Sequence, residues 1–354
     1  MNQKENIVLN GQKYDAENIE KLDLNTTVWQ QEIYSFLNNW FDNSDAITVH
    51  TSGSTGIPKE IHLSKEMMRN SARMTNRFFG LNSSATALLC LPASYIAGKM
   101  MLVRAIAGGF NLVTVEPKAN PFVEIKEKID FAAITPYQLS HSLETLKKTL
   151  IKNIIVGGGH IPSRLEEQTS QIPAALYETY GMTETASHIA LRRVNGKLKA
   201  DVFTVLDGVR IRQDKRGCLI INAPHLSSNE FTTNDLVEIT SDNSFRWLGR
   251  ADSVINSGGV KIFPEQVEKK LENILTSNYF ITSLPDEELG NKAVLILETE
   301  KYSAFDEQEL IKKMQSFLHK YEIPKEIHYL PKFIYSAGNK ILREKVIQQV
   351  LKER

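Results

Sequence analysis

Short apolar runs alternate with amphipathic stretches from residue 46 to about residue 200. The runs AITVH, ATALLCLP, NLVTVEP, FAAITP and KNIIVGGG are typical of buried strands. Between them lie KEMMRNSARMTNRFFGL, GKMMLVRAIAGG, FVEIKEKI and YQLSHSLETLKKTL, which are typical of helices, and Ser64 is placed to cap the first of these. Strands that take turns with helices predict an α/β fold with a mainly parallel sheet covered on both faces.

The pattern differs on either side of this region. Residues 1–44 are polar, apart from a helix predicted for TTVWQQEIYSFLNNWF. After about residue 200, VFTVLDGVRIRQDKRGCLIINAP predicts antiparallel strands joined by turns. The last hundred residues predict a small α+β domain from the segments PEQVEKKLENIL, NYFITSL, KAVLILET, DEQELIKKMQSFLHKY, EIHYL and a terminal helix from about Leu342.

Composition and charge narrow the classes of function. The 354 residues include 42 Lys+Arg and 42 Asp+Glu, a balance that does not favour nucleic acid or anionic membrane as a partner. The start, MNQKENIVLNG, lacks the pattern of a signal peptide, and no apolar run is long enough to span a membrane. We therefore expect a cytoplasmic protein without membrane insertion. Cys90 and Cys218 each lie in an apolar run and are expected to be buried free thiols.

The segment HTSGSTGIPKE at residues 50–60 is the first candidate for chemistry. Closely spaced glycines let backbone N–H groups approach an anion, and the serine and threonine hydroxyls add donors. Lys59 would add positive charge, but it is followed by Glu60, so the segment is not the P-loop of nucleoside triphosphatases. Taken alone, the segment is either a polyphosphate-binding loop or an ordinary turn.

Two further stretches carry polar groups that a nucleotide could use. In YETYGMTETASH, the ring of Tyr180 could stack on a purine and the carboxylate of Glu184 could hold Mg²⁺. In FTTNDLV, Asp235 is predicted in a turn, where its carboxylate could bind both hydroxyls of a ribose. A turn-stabilising or surface carboxylate is the simpler interpretation of Asp235 alone.

Five motifs, taken in order, resemble the adenylate-forming superfamily of acyl-CoA ligases, nonribosomal adenylation domains and luciferases. They are TSGSTGIPK, YGMTE, TND, GRADSVINSGGVKI and LPKFIYSAGNKILR, and they run from about residue 46 to the C-terminus. The resemblance implies that a carboxylic acid reacts with ATP and Mg²⁺ to give an acyl-adenylate and pyrophosphate. A thiol, usually that of CoA, then displaces AMP. The resemblance also implies a large ATP- and acid-binding domain over residues 1–251 and a small mobile domain over residues 252–354.

The same resemblance assigns roles to individual residues. Lys340 is implied to be the catalytic lysine, because a cation at that point can bridge the acid and the α-phosphate as charge develops. The other implied roles are phosphate binding for Thr51, Ser52, Gly53, Ser54, Thr55, Gly56 and Lys59, adenine binding for Gly158, Gly159 and Tyr180, the α-phosphate for Thr183, Mg²⁺ for Glu184, ribose for Asp235 and Arg250, the domain hinge for Asp252, and CoA for Gly258 and Gly259. For Arg250, an ion pair at the domain interface stays open as an alternative.

The acid is indicated by LPASYIAGKMMLVRAIAGG and TETASHIALRR, which resemble the o-succinylbenzoate:CoA ligase branch of menaquinone biosynthesis. That acid has two carboxylates and an aromatic ring, and Tyr95, Ser187 and either Lys99 or Arg104 could supply a flat wall and a cationic end. Charges that merely solvate a helix remain the alternative for Lys99 and Arg104. The other hypotheses are a fatty or aromatic acyl-CoA synthetase, an enzyme that loads a carrier protein, and a catalytically weak adenylate-binding module.

The sequence departs from the superfamily at two points. Only about fifty residues precede the glycine-rich segment, far fewer than in most members, so we expect one wall of the acyl pocket to be missing or supplied by a second subunit in a homodimer. In addition, Asn339 separates Gly338 from Lys340, where other members have glycine directly before the lysine.

Overall fold

The computed structural model describes residues 5–22, 27–50, 60–335 and 341–352. The helices in these ranges are α1 (Val28–Phe41), α2 (Lys65–Phe79), α3 (Ile96–Gly108), α4 (Pro136–Leu146), α5 (Ser163–Gln168), α6 (Pro264–Leu271), α7 (Ala304–Phe317) and α8 (Arg343–Lys352). The strands are β1 (Asn6–Leu9), β2 (Gln12–Asp15), β3 (Ala46–His50), β4 (Glu60–Ser64), β5 (Thr86–Leu89), β6 (Asn111–Thr114), β7 (Ile129–Ile134), β8 (Ile151–Val156), β9 (Ala175–Gly181), β10 (His188–Arg193), β11 (Phe203–Val205), β12 (Arg210–Gln213), β13 (Cys218–Asn222), β14 (Phe231–Ser241), β15 (Ser244–Arg250), β16 (Ile255–Ser257), β17 (Val260–Ile262), β18 (Tyr279–Asp286), β19 (Gly290–Glu298) and β20 (Glu326–Leu330).

One large sheet combines a parallel and an antiparallel part. Its strand order is β12-β13-β14-β15-β11-β10-β9-β8-β7-β5-β6-β1-β2. Strands β1, β6, β5, β7, β8 and β9 are joined by parallel pairings, and β10 begins the antiparallel part. The predicted fold class, an α/β protein with a mainly parallel sheet and an antiparallel β portion, is confirmed.

Helices cover both faces of the parallel part, because its strands are apolar on both sides. Residues of α1, α2 and α3 belong to one hydrophobic core, which includes the fully buried Trp40 and Phe110. Residues of α4 and α5 pack on the other face in a second core around Phe122 and Leu176. Helix α2 begins as predicted, since the Ser64 hydroxyl accepts a hydrogen bond from the Met67 amide at 3.1 Å.

The residues after the large sheet form a second, smaller sheet. Strands β17, β16, β19 and β18 follow one another, and β20 pairs in parallel with β19. Helices α6 and α7 pack on one face and α8 on the other, each over its own apolar cluster. The predicted order of helices and strands in the last hundred residues agrees with this arrangement. The division into domains at residues 251 and 252 stays a prediction.

Two local expectations were wrong, and one element was not predicted. Residues 6–15, for which no strand was predicted, form a β1–β2 hairpin, and the Asn10-Gly11 turn with φ of 49° and 81° was the signal for it. The segment FVEIKEKI, expected to be a helix, is one turn followed by an irregular stretch that enters β7 at Ile129, and the buried Phe122 and half-buried Ile125 account for its helix-like spacing. Asp235, expected in a turn, lies within β14, because the polar FTTND run still pairs with neighbouring strands.

Two smaller expectations can be compared directly with the structure. Cys90 and Cys218 are buried free thiols, as predicted. In the described ranges, no helix combines the length and the apolar character that a membrane crossing requires.

Candidate active site

The candidate site lies where the central parallel strands end, the edge at which open α/β sheets bind ligands. Strand β8 ends at Val156 and leads into three glycines, of which Gly158 and Gly159 are exposed. A Cβ on Gly157 would lie 2.6 Å from the Thr179 hydroxyl oxygen, so only glycine lets this turn approach β9. The result is a turn without side chains beside the end of β9, where the sequence predicted an adenine.

Tyr180 and Asp235 meet at this edge although they are far apart in the sequence. The Tyr180 hydroxyl donates a 2.6 Å hydrogen bond to the Asp235 carboxylate. Burial and the charge of Asp235 together raise the pKa of the Tyr180 hydroxyl far above its usual range, so the hydroxyl keeps its proton and acts as donor. The structure therefore brings the predicted adenine and ribose contacts side by side.

Arg250 links this pair to the predicted hinge. It lies opposite Asp235 in the β14–β15 pairing, with its guanidinium nitrogen 3.8 Å from the Asp235 carboxylate. The same guanidinium donates to the Asp252 carboxylate at 3.2 and 3.3 Å. The Asp252 contact, more than that of Asp235, raises the pKa of Arg250, and the Arg250 hydrogen bond lowers the pKa of Asp252. Both the ribose role and the ion-pair alternative for Arg250 are compatible with this geometry.

A short 3₁₀ turn, Thr183–Thr185, follows the end of β9 and packs against β4. Glu184 on this turn is exposed and forms no ion pair with any residue in the described ranges. Those ranges also contain no group of three or more His, Cys, Asp or Glu side chains able to hold a metal ion. One free carboxylate fits Mg²⁺, which completes its coordination shell with phosphate oxygens and water.

A buried cation lies behind this turn. Arg104 on α3 is 2% exposed, and its guanidinium donates to the Ser187 hydroxyl at 2.5 Å and to the Met101 sulfur at 3.5 Å. Within the described ranges, its Nε has no hydrogen-bond partner and no carboxylate forms an ion pair with its guanidinium. The guanidinium carbon also lies 6.0 Å from the centre of the Phe131 ring, a distance at which a cation–π contact is weak.

The environment of Arg104 is energetically unusual. Burial lowers the pKa of Arg104 to about 9, because the charged form has lost water and gained no anion. Buried cations are normally paired, since an uncompensated buried charge is strongly unfavourable. A buried arginine without an anion is therefore a candidate site for an anionic ligand.

The other predicted acid contacts are placed differently. Lys99 donates from its ammonium group to the backbone carbonyls of Ala93 and Ser94, at 2.9 and 2.7 Å, and burial lowers its pKa. Tyr95 precedes α3 as its N-cap residue and is 56% exposed. The Lys99 ammonium is thus bonded to backbone carbonyls of the loop before α3, whereas the Arg104 guanidinium keeps an Nε–H that has no partner among the described residues.

Two functional candidates were missed by sequence reasoning. His188 and Thr75 complete the surroundings of Ser187, with His188 4% exposed and Thr75 fully buried. His188 lies in an apolar strand and Thr75 in the middle of a helix, so neither position carries a sequence signal beyond its polarity.

Other predicted residues lie in the small sheet or outside the described ranges. Gly258 and Gly259 form the two-residue turn between β16 and β17, with φ of 56° and 81°, which a hairpin of this length requires. Residues 51–59, with the predicted phosphate contacts, and Lys340 lie outside the described residues.

Comparison with known proteins adds family evidence to this geometry. Residues 3–214 match the family described as AMP-binding enzyme. The 2-succinylbenzoate–CoA ligase of Bacillus cytotoxicus is 27% identical over 383 residues, covering 96% of this chain and 76% of that protein. The corresponding ligase of Geobacillus sp. is 25% identical over 340 residues, covering 86% and 69%.

Solved structures agree. An acyl-CoA synthetase (AMP-forming)/AMP-acid ligase II-like protein from Dyadobacter fermentans has a TM-score of 0.62 and 34% identity, covering 95% of this chain and 98% of that one. The O-succinylbenzoate coenzyme A synthetase of Bacillus subtilis, solved with ATP and magnesium, has a TM-score of 0.71 over 85% and 69% of the chains; at 22% identity, it shows the shared fold. The chain therefore belongs to the AMP-binding enzyme family, among the adenylate-forming acid:CoA ligases.

Proposed function

We propose that this ligase activates an aromatic dicarboxylic acid, with o-succinylbenzoate as the favoured substrate, and transfers it to CoA. The observation that carries the proposal is the buried Arg104, which lies against Ser187 and forms no ion pair with a carboxylate of the described ranges. A dicarboxylate retains one carboxylate after the other has reacted with ATP, and that remaining charge would compensate the buried guanidinium. The names of the curated relatives support the same acid.

An unbranched fatty acid suits this site poorly. Its alkyl chain would bring no anion to Arg104, so it would gain none of the stabilisation that a second carboxylate supplies to a buried guanidinium. The aromatic ring of a substrate would meet an apolar, aromatic neighbourhood, since Phe131 lies beneath the guanidinium. We therefore favour the dicarboxylic acid over the fatty acyl alternative.

The nucleotide contacts are proposed for the cluster at the strand ends. Asp235 would accept hydrogen bonds from the ribose hydroxyls, Arg250 would steady Asp235, and Gly158 and Gly159 would border the adenine with Tyr180. Asp235 keeps one oxygen near Arg250 and one near Tyr180, so both of its oxygens are oriented before ATP binds. Thr183 would contact the α-phosphate.

Glu184 is proposed to hold Mg²⁺. Its carboxylate is exposed and forms no ion pair within the part of the chain that the structure describes, which supports this role. When bound there, the ion would neutralise charge on the phosphates of ATP.

The remaining assignments stay predictions. They are phosphate binding by residues 51–56 and Lys59, catalysis by Lys340, the hinge at Asp252, CoA binding at Gly258 and Gly259, contacts of Tyr95 and Lys99 with the acid, a homodimer and a cytoplasmic location.

The test is AMP release with ATP, Mg²⁺ and CoA across a panel of acids. The panel contains o-succinylbenzoate, 4-oxo-4-phenylbutanoate, which lacks the ring carboxylate, benzoate, and medium- and long-chain fatty acids. We expect kcat/KM for o-succinylbenzoate to exceed that for 4-oxo-4-phenylbutanoate by at least about tenfold, as a charge-assisted hydrogen bond supplies. Equal values for the two acids would contradict the proposal.

Substitution of Arg104 tests whether this residue causes the preference for the diacid over the monoacid. Arg104→Met keeps the length of the side chain and removes the charge, so it should abolish the preference for the diacid while turnover of the monoacid persists. Arg77→Met is the matched control, because Arg77 lies on the surface of α2 and forms an exposed ion pair with Asp207. Retention of the full diacid preference by Arg104→Met would exclude Arg104 as the anion-binding residue.

A further inference from the structure

A chain of hydrogen bonds runs from Arg104 on α3 through the start of β10 to helix α2. The Arg104 guanidinium donates to the Ser187 hydroxyl, which lies 3.3 Å from Nδ1 of His188. On the far side of the ring, Nε2 of His188 lies 3.3 Å from the Thr75 hydroxyl. Thr75 in turn donates to the backbone carbonyl of Ser71 at 3.3 Å.

The far end of this chain sets the direction of the hydrogen bonds around His188. A backbone carbonyl can only accept, so Thr75 gives its proton to Ser71 and accepts one from Nε2 of His188. With its proton on Nε2, a neutral His188 ring has a lone pair on Nδ1, which accepts the proton of Ser187. Arginine can only donate, so the Ser187 oxygen accepts from Arg104 while its proton goes to His188.

The surroundings of His188 favour this neutral form. Burial, and after it the charge of Arg104, lower the pKa of His188 well below its ordinary value. A protonated ring would have no lone pair for the Ser187 proton and would repel the guanidinium. A neutral ring satisfies both neighbours.

We propose that His188 is a positioning residue for the acid substrate, orienting Ser187 and through it Arg104. By accepting the Ser187 proton, His188 turns an oxygen lone pair of Ser187 toward the guanidinium and holds Arg104 in one orientation. The Arg104 Nε–H, which has no partner among the described residues, is then left for the second carboxylate of a dicarboxylic acid. This inference rests on the proposed function, since it concerns how the same anion site is ordered.

The backbone around Ser187 supports a positioned rather than a passive hydroxyl. Ala186 has a φ of 61°, an uncommon value for a residue other than glycine, and is 1% exposed. A Cβ on Gly181 would lie 2.5 Å from the Ser187 carbonyl oxygen, so the end of β9 packs directly against this segment. The strained turn and the close approach hold the Ser187 backbone, and His188 holds its hydroxyl.

The experiment compares two substitutions in the full-length enzyme. His188→Gln keeps an amide oxygen to accept from Ser187 and an amide N–H to donate to Thr75, whereas His188→Leu keeps similar bulk and removes both functions. We expect His188→Leu to raise KM for o-succinylbenzoate about tenfold while KM for ATP and for 4-oxo-4-phenylbutanoate changes by less than about twofold. His188→Gln should restore KM for o-succinylbenzoate to within about threefold of the original value.

Comparison of KM for the two acids separates a positioning role of His188 from general disruption of the site. A rise of KM by the same factor for both acids in His188→Leu would overturn the proposal, as would an unchanged KM for o-succinylbenzoate. Circular dichroism and the thermal midpoint identify any variant that fails to fold. If His188→Leu fails to fold, His188→Asn replaces it, because the shorter asparagine side chain reaches neither Ser187 nor Thr75 fully.

The Arg104→Met variant distinguishes failure of the role proposed for His188 from failure of the proposed substrate. Loss of diacid preference in Arg104→Met but not in His188→Leu would overturn the role of His188 and leave the proposed substrate intact. Retention of that preference in Arg104→Met would overturn the anion site itself, and the role of His188 with it.

Discussion

Asp235 takes its proposed role from two partners that the fold brings to it. Tyr180 donates to one oxygen and Arg250 lies near the other, so the carboxylate is oriented before a ribose arrives. We expect Asp235→Asn to raise KM for ATP about tenfold with a smaller change in kcat, because the lost charge weakens binding in the ground state and the transition state alike. Steady-state AMP release at saturating acid and CoA measures both constants.

Tyr180→Phe is the matched control for this prediction. It removes only the hydroxyl that donates to Asp235 and leaves the ring in place. We expect it to raise KM for ATP by less than Asp235→Asn does. An unchanged KM for ATP in Asp235→Asn would rule out the ribose contact.

The sequence predicted the candidate residues of the site better than their contacts. The motifs marked Tyr180, Asp235, Arg250 and Asp252, and these four form one connected cluster. The bond between Tyr180 and Asp235 joins β9 to β14, and no local pattern reports a pairing of that kind. The role that we propose for His188 was hidden for a different reason, since a single histidine in an apolar strand looks the same whether it has a polar partner or not.

At the scale of elements, prediction succeeded where burial dominates. The parallel strands are continuous apolar runs, so their period and length identified them. It failed where a few residues decide the structure: the β1–β2 hairpin depends on the Asn10-Gly11 turn, and the FVEIKEKI segment, in which Val123 is exposed, buries too few side chains to hold a helix.

One group of charges joins two strands of the large sheet to helix α5. Arg192 on β10 donates to Glu178 on β9 at 2.8 Å and to Glu166 on α5 at 2.6 Å, and all three side chains are buried. Burial alone would raise the pKa of Glu178. The hydrogen bond from His160 and the charge of Arg192 outweigh it and lower the pKa to about 2.

This depressed pKa makes stability depend on pH in a definite direction. An unfolded glutamate titrates near pH 4.3, so the stabilisation from Glu178 is complete above about pH 5 and is lost as pH falls toward 2. We expect Glu178→Gln to destabilise the protein by on the order of 2 kcal/mol at pH 7 and by less at pH 3. Thermal midpoints of both proteins between pH 3 and pH 7 measure the difference.

The control for this prediction is Glu144→Gln. Glu144 forms an exposed i,i+3 ion pair with Lys147, so its removal should leave the thermal midpoint nearly unchanged over the whole pH range. If the difference in thermal midpoint between the unsubstituted protein and Glu178→Gln stays constant from pH 7 to pH 3, the Glu178 carboxylate does not supply the acid sensitivity.

At the scale of the whole molecule, α6 connects the two sheets. Gln266 donates to the carbonyl oxygens of Trp247 and Leu248 in β15, and Glu272 at the end of α6 accepts from the backbone amide of Ser163 and lies 4.0 Å from His160. The sequence predicted both sheets, because each has its own periodicity, but not this contact. Glu272 follows a charged, amphipathic helix and could as well have faced solvent.

The Glu272 contact yields a test of the proposed hinge. A rotation about Asp252 must separate Glu272 from Ser163, so Glu272→Ala should weaken the orientation seen here. We expect amide hydrogen exchange across residues 160–168 to become about fivefold faster in this variant, because the Ser163 amide loses its acceptor. The ratio of the rates of adenylate formation and thioester formation should also shift, by about fivefold for a hydrogen bond worth about 1 kcal/mol.

Glu322→Ala is the control for this last prediction. Glu322 accepts from Lys270 at 2.6 Å within the small sheet and its helices, so its loss removes an ion pair of α6 without touching the large sheet. It should leave both the exchange at residues 160–168 and the ratio of the half-reactions unchanged. Faster exchange in Glu272→Ala with an unaltered ratio of adenylate to thioester formation would mean that the contact fixes α5 locally. The contact would then play no part in the proposed rotation about Asp252. Equal effects of the two variants would trace both changes to general destabilisation of α6.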